Sequence, residues 1–423
     1  MLFSLYASTA LLAGLATALP TANPEAQYNR GGYYPQKPPK HTPHTVPGKA
    51  FDRFVVIWNE NTDIEDAQSD PNFNSLAARG IRLNNYFAVT HPSEPNYVSA
   101  VSGEYFGMDN DDNNAIPSNV STIVDLLEDK GISWGEYQEH MPYTGFEGFE
   151  YRNKEGKNDY VRKHNPLVIY DSVAEKKDRL ANIKNFTEFY KDLEANKLPQ
   201  WMFITPNMTN DGHDTDYKVA GAWTKRFLEP LLDNPNFMQN TLVVVSWDEG
   251  GTYTHRNQVD TILLGDAVPE ELRGTTDDNF YTHCMFPFLQ LAKFYPRNGK
   301  INGDKDKYQD PNVIIDSEIS TIEANWNLHT LGRYDVGANV FSLVGEKTGD
   351  EIRQPEKDLD DIYLNYSYPG IENNVRRAPM PVPNTELVRN GRTVLPLVKE
   401  VWGALQGETE YEDRVDVPSG WGV

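Results

Sequence analysis

One short stretch of the chain combines the residue types that a nucleophilic site needs. His91-Pro92-Ser93-Glu94-Pro95-Asn96-Tyr97 places a serine between two prolines, with a histidine before it and an asparagine after it. Because proline fixes its own φ angle and restricts the residue before it, the pattern predicts a stiff, non-helical loop around Ser93. Such a loop can hold a hydroxyl at a fixed angle of attack. An ordinary surface turn has a similar composition, so the rest of the chain must decide between the two interpretations.

Two further segments supply carboxylates and an amide. Glu60-Asn61 and Asp248-Glu249 each follow a short apolar run. Their oxygens are ligands of the kind that Mg²⁺, Ca²⁺ or Mn²⁺ prefers more than Zn²⁺ does. Both pairs could instead be turn or helix-capping residues. That interpretation is weaker for Asp248-Glu249, because adjacent carboxylates repel each other unless a cation or proton lies between them. We therefore expect one divalent metal ion here.

Three histidines are candidates for contact with the reacting groups. His213 lies in a polar loop after another apolar run, and we expect it to act as a general acid or as a hydrogen-bond donor. His255, just after a Gly-Gly turn, is a weaker candidate of the same kind. His91 either contacts Ser93 or bonds the loop backbone. Asn96 either binds the substrate or caps the helix that follows it.

The elements that must position these residues alternate between strand and helix patterns. Apolar runs predict strands, and helical periodicity predicts helices between them. The predicted strands are Phe54–Trp58, 132–137, Trp201–Thr205, Thr241–Trp247 and Thr261–Leu264, and the predicted helices span 73–79, a segment capped by Ser121, 183–196 and 220–232. The pattern predicts an α/β fold with a mostly parallel sheet covered by helices on both faces. Ligands of such sheets bind beyond the carboxyl ends of the strands, where the polar clusters lie.

Other segments carry less information. Residues 143–165 are polar and rich in Gly, Lys and Asn, which predicts a long surface excursion. Cys284 is the only cysteine, so no intrachain disulfide can form, and its apolar surroundings predict a buried structural thiol. A closing helix is expected over 285–294. The tail beyond Tyr363 shows no strong periodicity.

Composition and termini restrict the class of protein. The chain has 423 residues and a formal net charge of −23, which disfavours a nucleic-acid partner. Residues 1–18 resemble a signal peptide, 19–48 a Pro-rich extended arm, and 49–423 are predicted to form a single catalytic domain. No transmembrane segment follows the apolar leader. We therefore expect a secreted protein, either extracellular or associated with the cell wall.

Four Asn-x-Ser/Thr sequons fit this location. Asn119, Asn185 and Asn365 lie in polar or helix-flanking segments, so we expect them to face solvent and carry N-glycans. Asn207 lies on the loop that also carries His213, where a sugar would obstruct the site, so we expect it to be unmodified.

Several alternative chemistries lack their motifs. The chain contains no Gly-x-Ser-x-Gly elbow, no His-Glu-x-x-His or paired-cysteine zinc motif and no P-loop. Cys284 is not in the Cys-x-Pro-x-Arg context of sulfatases. A serine nucleophile beside carboxylates remains the interpretation that fits the residues present.

Four segments together resemble one known family. They are Ile57–Asn61, His91–Tyr97, Ser246–Gly251 and Ser320–Trp326, within a similar region from Phe51 to Asp335. They are similar to the phosphoesterase family, which contains secreted fungal acid phosphatases, bacterial acid phosphatases and non-haemolytic phospholipases C. The leader and the Pro-rich arm are most similar to those of the fungal enzymes.

The resemblance implies a fold like that of alkaline phosphatase and an active site of known type. It implies that Ser93 is the nucleophile that forms a phosphoserine, and that Glu60, Asn61, Asp248 and Glu249 surround a single metal ion. Glu249 departs from the pattern, because bacterial members commonly have a second aspartate at this position.

The function that follows is a secreted acid phosphatase acting on small phosphate monoesters. The alternative is a phosphodiesterase of the phospholipase C type that uses the same site. A cell-wall glycoprotein without catalytic activity is a third interpretation. The intact set of Glu60, Asn61, Ser93, Asp248 and Glu249 argues against it.

Overall fold

The structure is a computed structural model. It describes residues 45–283, 317–355, 359–365, 367–409 and 411. The predictions for the signal peptide, most of the Pro-rich arm, Cys284 and the closing helix at 285–294 lie outside these residues.

An eight-stranded sheet forms the centre of the fold, with strand order β10-β2-β9-β8-β1-β7-β3-β6. The strands of this sheet and of two small hairpins are β1 Arg53–Asn59, β2 Ile81–Phe87, β3 Trp134–Gln138, β4 Glu150–Arg152, β5 Asn158–Val161, β6 Ile183–Asn185, β7 Trp201–Thr205, β8 Thr241–Trp247, β9 Thr261–Leu264, β10 Thr275–Thr282, β11 Val388–Arg389 and β12 Arg392–Thr393. β9 runs antiparallel to both of its neighbours, and the other described strand pairs of the central sheet are parallel. The predicted α/β class with a mostly parallel sheet is confirmed.

The three central strands follow directly from the sequence. Every residue of β1, β7 and β8 is buried, as expected for β-branched and aromatic runs covered on both faces. β7, β8 and β9 have the predicted bounds, and β1 is one residue longer at each end. Their side chains belong to one hydrophobic cluster that extends from Ala50 to Tyr411.

Helices connect and cover the strands. They are α1 Ile64–Ser69, α2 Pro71–Ala77, α3 Ser93–Ser102, α4 Ile123–Asp129, α5 Asp171–Ala174, α6 Lys177–Leu180, α7 Phe186–Glu194, α8 Tyr217–Leu232, α9 Ser317–Trp326, α10 Tyr334–Gly337, α11 Ser342–Thr348 and α12 Pro396–Trp402. Within the described part of the chain, none of these helices has the length and apolar character needed to cross a membrane.

All four predicted helix starts within the described residues differ from the observed ones, since α2 begins at Pro71 and α8 at Tyr217, two and three residues early. The other two starts have a clear cause. The cap of α4 is Thr122 rather than Ser121, because Thr122 and Asp125 satisfy each other's backbone N–H groups in a capping box. The predicted helix over 183–196 begins only at Phe186. Asn185 ends β6 and its side chain accepts a hydrogen bond from the Glu188 N–H, which fixes the helix start.

Candidate active site

The polar clusters that follow β1, β7 and β8 meet at one edge of the sheet. These strands are adjacent and parallel, and Asn59 at the end of β1 lies opposite Trp247 at the end of β8. Their carboxyl ends therefore deliver the following residues to one place. The Glu60 N–H donates to the Asp211 carbonyl at 2.9 Å, which ties the segment after β1 to the loop after β7.

Ser93 is buried at the first position of α3, with Pro92 as the cap residue. The predicted non-helical loop around Ser93 is therefore wrong from this residue onward. Pro95 is compatible with the helix because the first N–H groups of a helix have no intrahelical acceptor, so a missing N–H costs nothing there. The positive end of the helix dipole lies at the serine.

The Asn96 side chain is bonded entirely to the backbone of the segment before Ser93. Its Oδ1 accepts from the Val89 N–H at 2.9 Å and the Thr90 N–H at 3.4 Å. Its Nδ2 donates to the carbonyls of Thr90 at 3.0 Å and Pro92 at 3.3 Å. These contacts support a role in holding the serine segment in place rather than in binding substrate.

Glu60 is the acceptor for the serine hydroxyl. Ser93 Oγ donates to Glu60 Oε2 at 3.2 Å, and the Tyr97 hydroxyl donates to Glu60 Oε1. His164 Nε2 lies 3.3 Å from the same Oε2 atom. The carboxyl group is fully buried and is held by residues of α3 and of the 143–165 segment. It is thus fixed at the distance that proton transfer from Ser93 requires.

Asn61 and Asp248 present oxygen atoms that the protein leaves unsatisfied. Asp248 Oδ1 accepts from the N–H groups of Asn61 at 3.0 Å and Glu249 at 2.7 Å. Among the described residues, Asn61 Oδ1 and Asp248 Oδ2 are buried without a hydrogen-bond partner. Buried polar atoms are rarely left unpaired, so this pair fits a bound cation.

A second group with ligand atoms shares Glu60 with the serine contact. Glu60, His164 and Asp211 are all buried, and their ligand atoms lie within 4.8 Å of one another. His164 Nδ1 lies 3.6 Å from Asp211 Oδ2, and neither His164 Nε2 nor Asp211 Oδ2 has hydrogen-bond geometry to any described group. The three residues could therefore hold a metal ion.

The electrostatics of the site are dominated by buried negative charge. Burial raises the pKa of Glu60 and of Asp211, and repulsion from neighbouring carboxylates, Asp248 among them, raises both further. The pKa values of Asp248 and Glu249 are also raised, mainly by burial. Four buried acids in one site stay ionised only if a cation or shared protons neutralise them.

Lys163 supplies a positive charge to this site. Its Nζ lies 2.7 Å from Asp111 Oδ2, and Asp111 Oδ1 accepts from the Glu94 N–H at 2.9 Å. Burial alone would lower the pKa of Lys163, but the charges of Asp111, Glu60 and Asp248 outweigh it and raise the pKa. One ammonium therefore lies close to the residue that follows Ser93.

His91 binds Glu249 and not Ser93. Its Nδ1 lies 2.7 Å from Glu249 Oε2, its Nε2 lies 3.3 Å from Asn365 Oδ1, and its ring stacks on Tyr253 with 3.8 Å between centroids. Burial lowers the pKa of His91 to about 4. Both ring nitrogens contact protein groups, so the arrangement supports an orienting role for His91 and leaves no free nitrogen for substrate.

The two other histidines differ in position. The ring of His213 lies 5.8 Å from that of His164, and its Nδ1 contacts Asp214 Oδ1 at 2.9 Å. His213 is thus at the rim of the acidic site. The His255 side chain is 61 % exposed, and its Nδ1 lies 3.5 Å from Asp63 Oδ2. It lines an open cleft that does not include the four buried acids of the site, Glu60, Asp211, Asp248 and Glu249.

The sequons do not all face solvent as predicted. Asn119 is exposed, but Asn365 is buried and bonded to His91. The Asn185 amide donates to the Met141 carbonyl at 3.1 Å while its oxygen caps α7. Asn207, expected to be unmodified, is buried with its Nδ2 2.9 Å from His140 Nδ1. The geometry leaves Asn119 as the accessible acceptor among the four.

Sequence reasoning missed Tyr97, Lys163, His164 and Asp211. Tyr97 lies in the serine segment and Asp211 in the loop of His213. The structure shows that both side chains are buried at the site. Lys163 and His164 belong to the excursion at 143–165, which is only partly on the surface: β4 and β5 form a hairpin, and the chain then turns inward at Arg162–His164. The sequence of this stretch does not indicate the inward turn, because its β-branched residues, Thr144 and Val161, form no apolar run that would predict a buried segment.

Comparison with known proteins identifies the family of the chain. The profile of the Phosphoesterase family matches residues 51–328. A phosphate-repressible acid phosphatase from Penicillium chrysogenum is 47% identical over 379 residues, covering 89% of this chain and 84% of that protein. An acid phosphatase from Aspergillus fumigatus is 46% identical over 372 residues, covering 86% of this chain and 76% of that protein. The chain belongs to the phosphoesterase family, as its motifs predicted.

Among solved structures, one match is a protein in the alkaline phosphatase superfamily from Vibrio parahaemolyticus. It has a TM-score of 0.39 and 10% sequence identity, and the match covers 61% of this chain and 71% of that chain.

Proposed function

We propose that the protein is a secreted acid phosphatase that hydrolyses small phosphate monoesters through a phosphoserine on Ser93. The contact between Ser93 Oγ and the buried Glu60 carboxyl carries this proposal, because it joins a nucleophile to a proton acceptor at the carboxyl edge of the sheet. The relatives named acid phosphatase match most of the chain and support the same activity.

Glu60 is the proton acceptor in this proposal. Its Oε2 already accepts a hydrogen bond from Ser93 Oγ at 3.2 Å, and as an ionised carboxylate it takes the hydroxyl proton as Ser93 Oγ attacks phosphorus. The N-terminus of α3 and the Lys163 ammonium stabilise the negative charge on the phosphoryl oxygens. His213, at the rim, protonates the leaving alcohol. Water then hydrolyses the phosphoserine, and the phosphoryl group leaves as inorganic phosphate.

We further propose one divalent metal ion among Asn61, Asp248 and Glu249, with Glu60, His164 and Asp211 as additional or alternative ligands. The unsatisfied Asn61 Oδ1 and Asp248 Oδ2 atoms support this. When bound, such an ion lowers the pKa of a nearby hydroxyl and neutralises phosphoryl oxygens. The oxygen-rich set favours Mg²⁺, Ca²⁺ or Mn²⁺, and His164 adds the one nitrogen ligand.

Replacing the nucleophile tests the proposal. Ser93→Ala should fold normally but lose activity on an aryl phosphate by more than about a thousandfold, because no attacking atom remains. Ser99→Ala is the matched control, since Ser99 is buried in the same helix and its hydroxyl bonds only the Asn96 carbonyl at 2.8 Å. Activity of Ser93→Ala within about tenfold of the parent, or ~1.4 kcal/mol in barrier, would contradict the assignment.

The choice of substrate class needs a second assay. We expect an aryl phosphate to be hydrolysed much faster than its bis-aryl diester, with and without chelator and across pH. A preference for the diester would identify a phosphodiesterase of the phospholipase C type at the same site. Full activity after exhaustive chelation would remove the metal from the proposal.

A further inference from the structure

A C-terminal segment outside the family profile takes part in the site. Residues 359–365 lie beyond position 328, where the profile ends. Asn257 joins this segment to the serine region, since its N–H donates to the Tyr363 carbonyl at 2.8 Å. Its Nδ2 donates to the carbonyls of Leu364 and Thr90, both at 3.0 Å. The segment is thus held beside the residues that precede Ser93.

The position of the Asn365 amide is determined by its contacts. Nδ2 donates to the His255 carbonyl at 2.6 Å, and Oδ1 lies 3.3 Å from His91 Nε2. A backbone carbonyl can only accept a hydrogen bond, so the amide nitrogen must face His255 and the amide oxygen must face His91. Because that oxygen also only accepts, the proton of the second contact lies on His91 Nε2.

This contact determines what His91 can do at its other nitrogen. His91 Nδ1 lies 2.7 Å from Glu249 Oε2, and Tyr253 covers the face of the ring. With the proton on Nε2, the contact to Glu249 fixes the orientation of the Glu249 carboxyl group. Contacts with Asn365, Glu249 and Tyr253 therefore fix the ring, and the ring in turn fixes one Glu249 oxygen.

We propose that Asn365 is a positioning residue of the phosphatase, which fixes the orientation and tautomer of His91 and through it the Glu249 carboxyl group. The inference rests on the proposed function. It has a consequence for modification, since Asn365-Tyr366-Ser367 is a sequon. Asn365 is buried and its Nδ2 faces the His255 carbonyl, so a glycan on this atom has no space, and Asn365 is unmodified in the active protein.

The first experiment uses the full-length parent protein. Histidine-¹⁵N NMR, with the His91 signal assigned by its absence in His91→Gln, should show a proton on Nε2. Peptide mapping of the active protein should find Asn365 free of glycan. A His91 signal with the proton on Nδ1 alone, or full glycan occupancy at Asn365 in fully active protein, would overturn the proposal. Neither measurement depends on the folding of an Asn365 variant.

The second experiment separates positioning from support of the segment. Asn365→Ala and Asn365→Asp should each lower kcat by about tenfold or more and leave KM within about twofold, because His91 orients a site group without touching substrate. Ser367→Ala removes the sequon but leaves the Asn365 side chain, so its kcat should equal that of the parent. Its one lost contact is a hydrogen bond to the Gly107 carbonyl at 2.7 Å.

The outcomes distinguish the two proposals. If both Asn365 variants keep the parent kcat and the parent His91 signal, Asn365 has no positioning role, while an inactive Ser93→Ala would leave the phosphatase assignment intact. If Ser93→Ala is active, the proposed function itself fails. Variants that lose thermal stability and kcat together, with an unchanged His91 signal, would show a structural role only.

Discussion

Two of the regions in which the protein buries carboxylates treat them in opposite ways. At the carboxyl edge of the sheet, Glu60, Asp211 and Asp248 lie together with raised pKa values and with oxygen atoms left unsatisfied. In the C-terminal region, Asp350 accepts from Arg392 at 2.6 Å and from Arg389 at 3.3 Å. Burial alone would raise the pKa of Asp350, but the two guanidinium groups lower it to about 2.

The difference separates a site built for chemistry from one built for stability. The Asp350 group is neutralised within the chain, so its burial is compatible with folding without any ligand. The group around Glu60 has more negative than positive charge, and it gains its balance only from a cation or from protons. Substitutions in the two regions should therefore change different measured quantities.

The largest expected effect is on stability, in the C-terminal region. Asp350→Asn keeps the shape but leaves two buried guanidinium groups without a counter-charge, so the free energy of unfolding should fall by about 3 kcal/mol with little change in kcat. Asp233→Asn is the control, because its exposed pair with Arg79 at 3.6 Å should contribute less than about 0.5 kcal/mol. Denaturant unfolding measures both. Equal stability of Asp350→Asn and the parent would contradict the stabilising role of Asp350.

The next effect is on activity, at the catalytic edge. Asp248→Asn removes one of several repelling charges, so stability should stay the same or rise, while activity falls by about a hundredfold. Added Mg²⁺, Ca²⁺ or Mn²⁺ should restore part of the activity by mass action. Titration of each ion into chelated protein, followed by calorimetry, should show weaker binding than in the parent. A variant that is less stable but fully active would contradict this prediction, because Asp248 would then stabilise the fold as Asp350 does.

The smallest effect concerns a buried carboxyl group whose described partners are neutral. Glu318 accepts from the Tyr86 hydroxyl at 3.0 Å and from Trp58 Nε1 at 3.4 Å, and burial raises its pKa to about 7. A raised pKa means that its contribution to stability is full below about pH 4.5 and is lost as the pH rises through 7. This group should therefore make the parent more stable in acid than at pH 8.

Glu318→Gln removes that titration and should flatten the dependence of unfolding free energy on pH between 5 and 8. Glu194→Gln, an exposed substitution at the end of α7, serves as the control and should leave the dependence unchanged. The proposal for Glu318 fails if the two variants show the same pH dependence as the parent.

The sequence predicted the parts of the site that lie next to their own strand. Glu60, Asn61, Asp248 and Glu249 each follow a buried apolar run directly, so the sheet alone fixes their location. Lys163 and His164 could not be found in this way. They reach the site after a polar hairpin, and only the tertiary fold determines where that hairpin ends.

The serine helix shows a different limit. Two prolines near Ser93 predicted an irregular loop, yet the first turn of a helix has N–H groups with no acceptor and so admits a proline. Asn365 lies in a segment without periodicity, and its sequon predicted a solvent-facing side chain. Its actual position depends on Asn257 and His91, which are distant in sequence.

The β4–β5 hairpin has a consequence for anyone who redesigns this protein. Its outer strand is half exposed, with Tyr151 open to solvent, so it resembles a loop that can be shortened to make a more compact enzyme. The chain leaves β5 directly into the turn that carries Lys163 and His164. Deleting or regrafting this hairpin would therefore alter the charge balance of the catalytic edge, and homologues that differ in its length are poor templates for transplanting specificity.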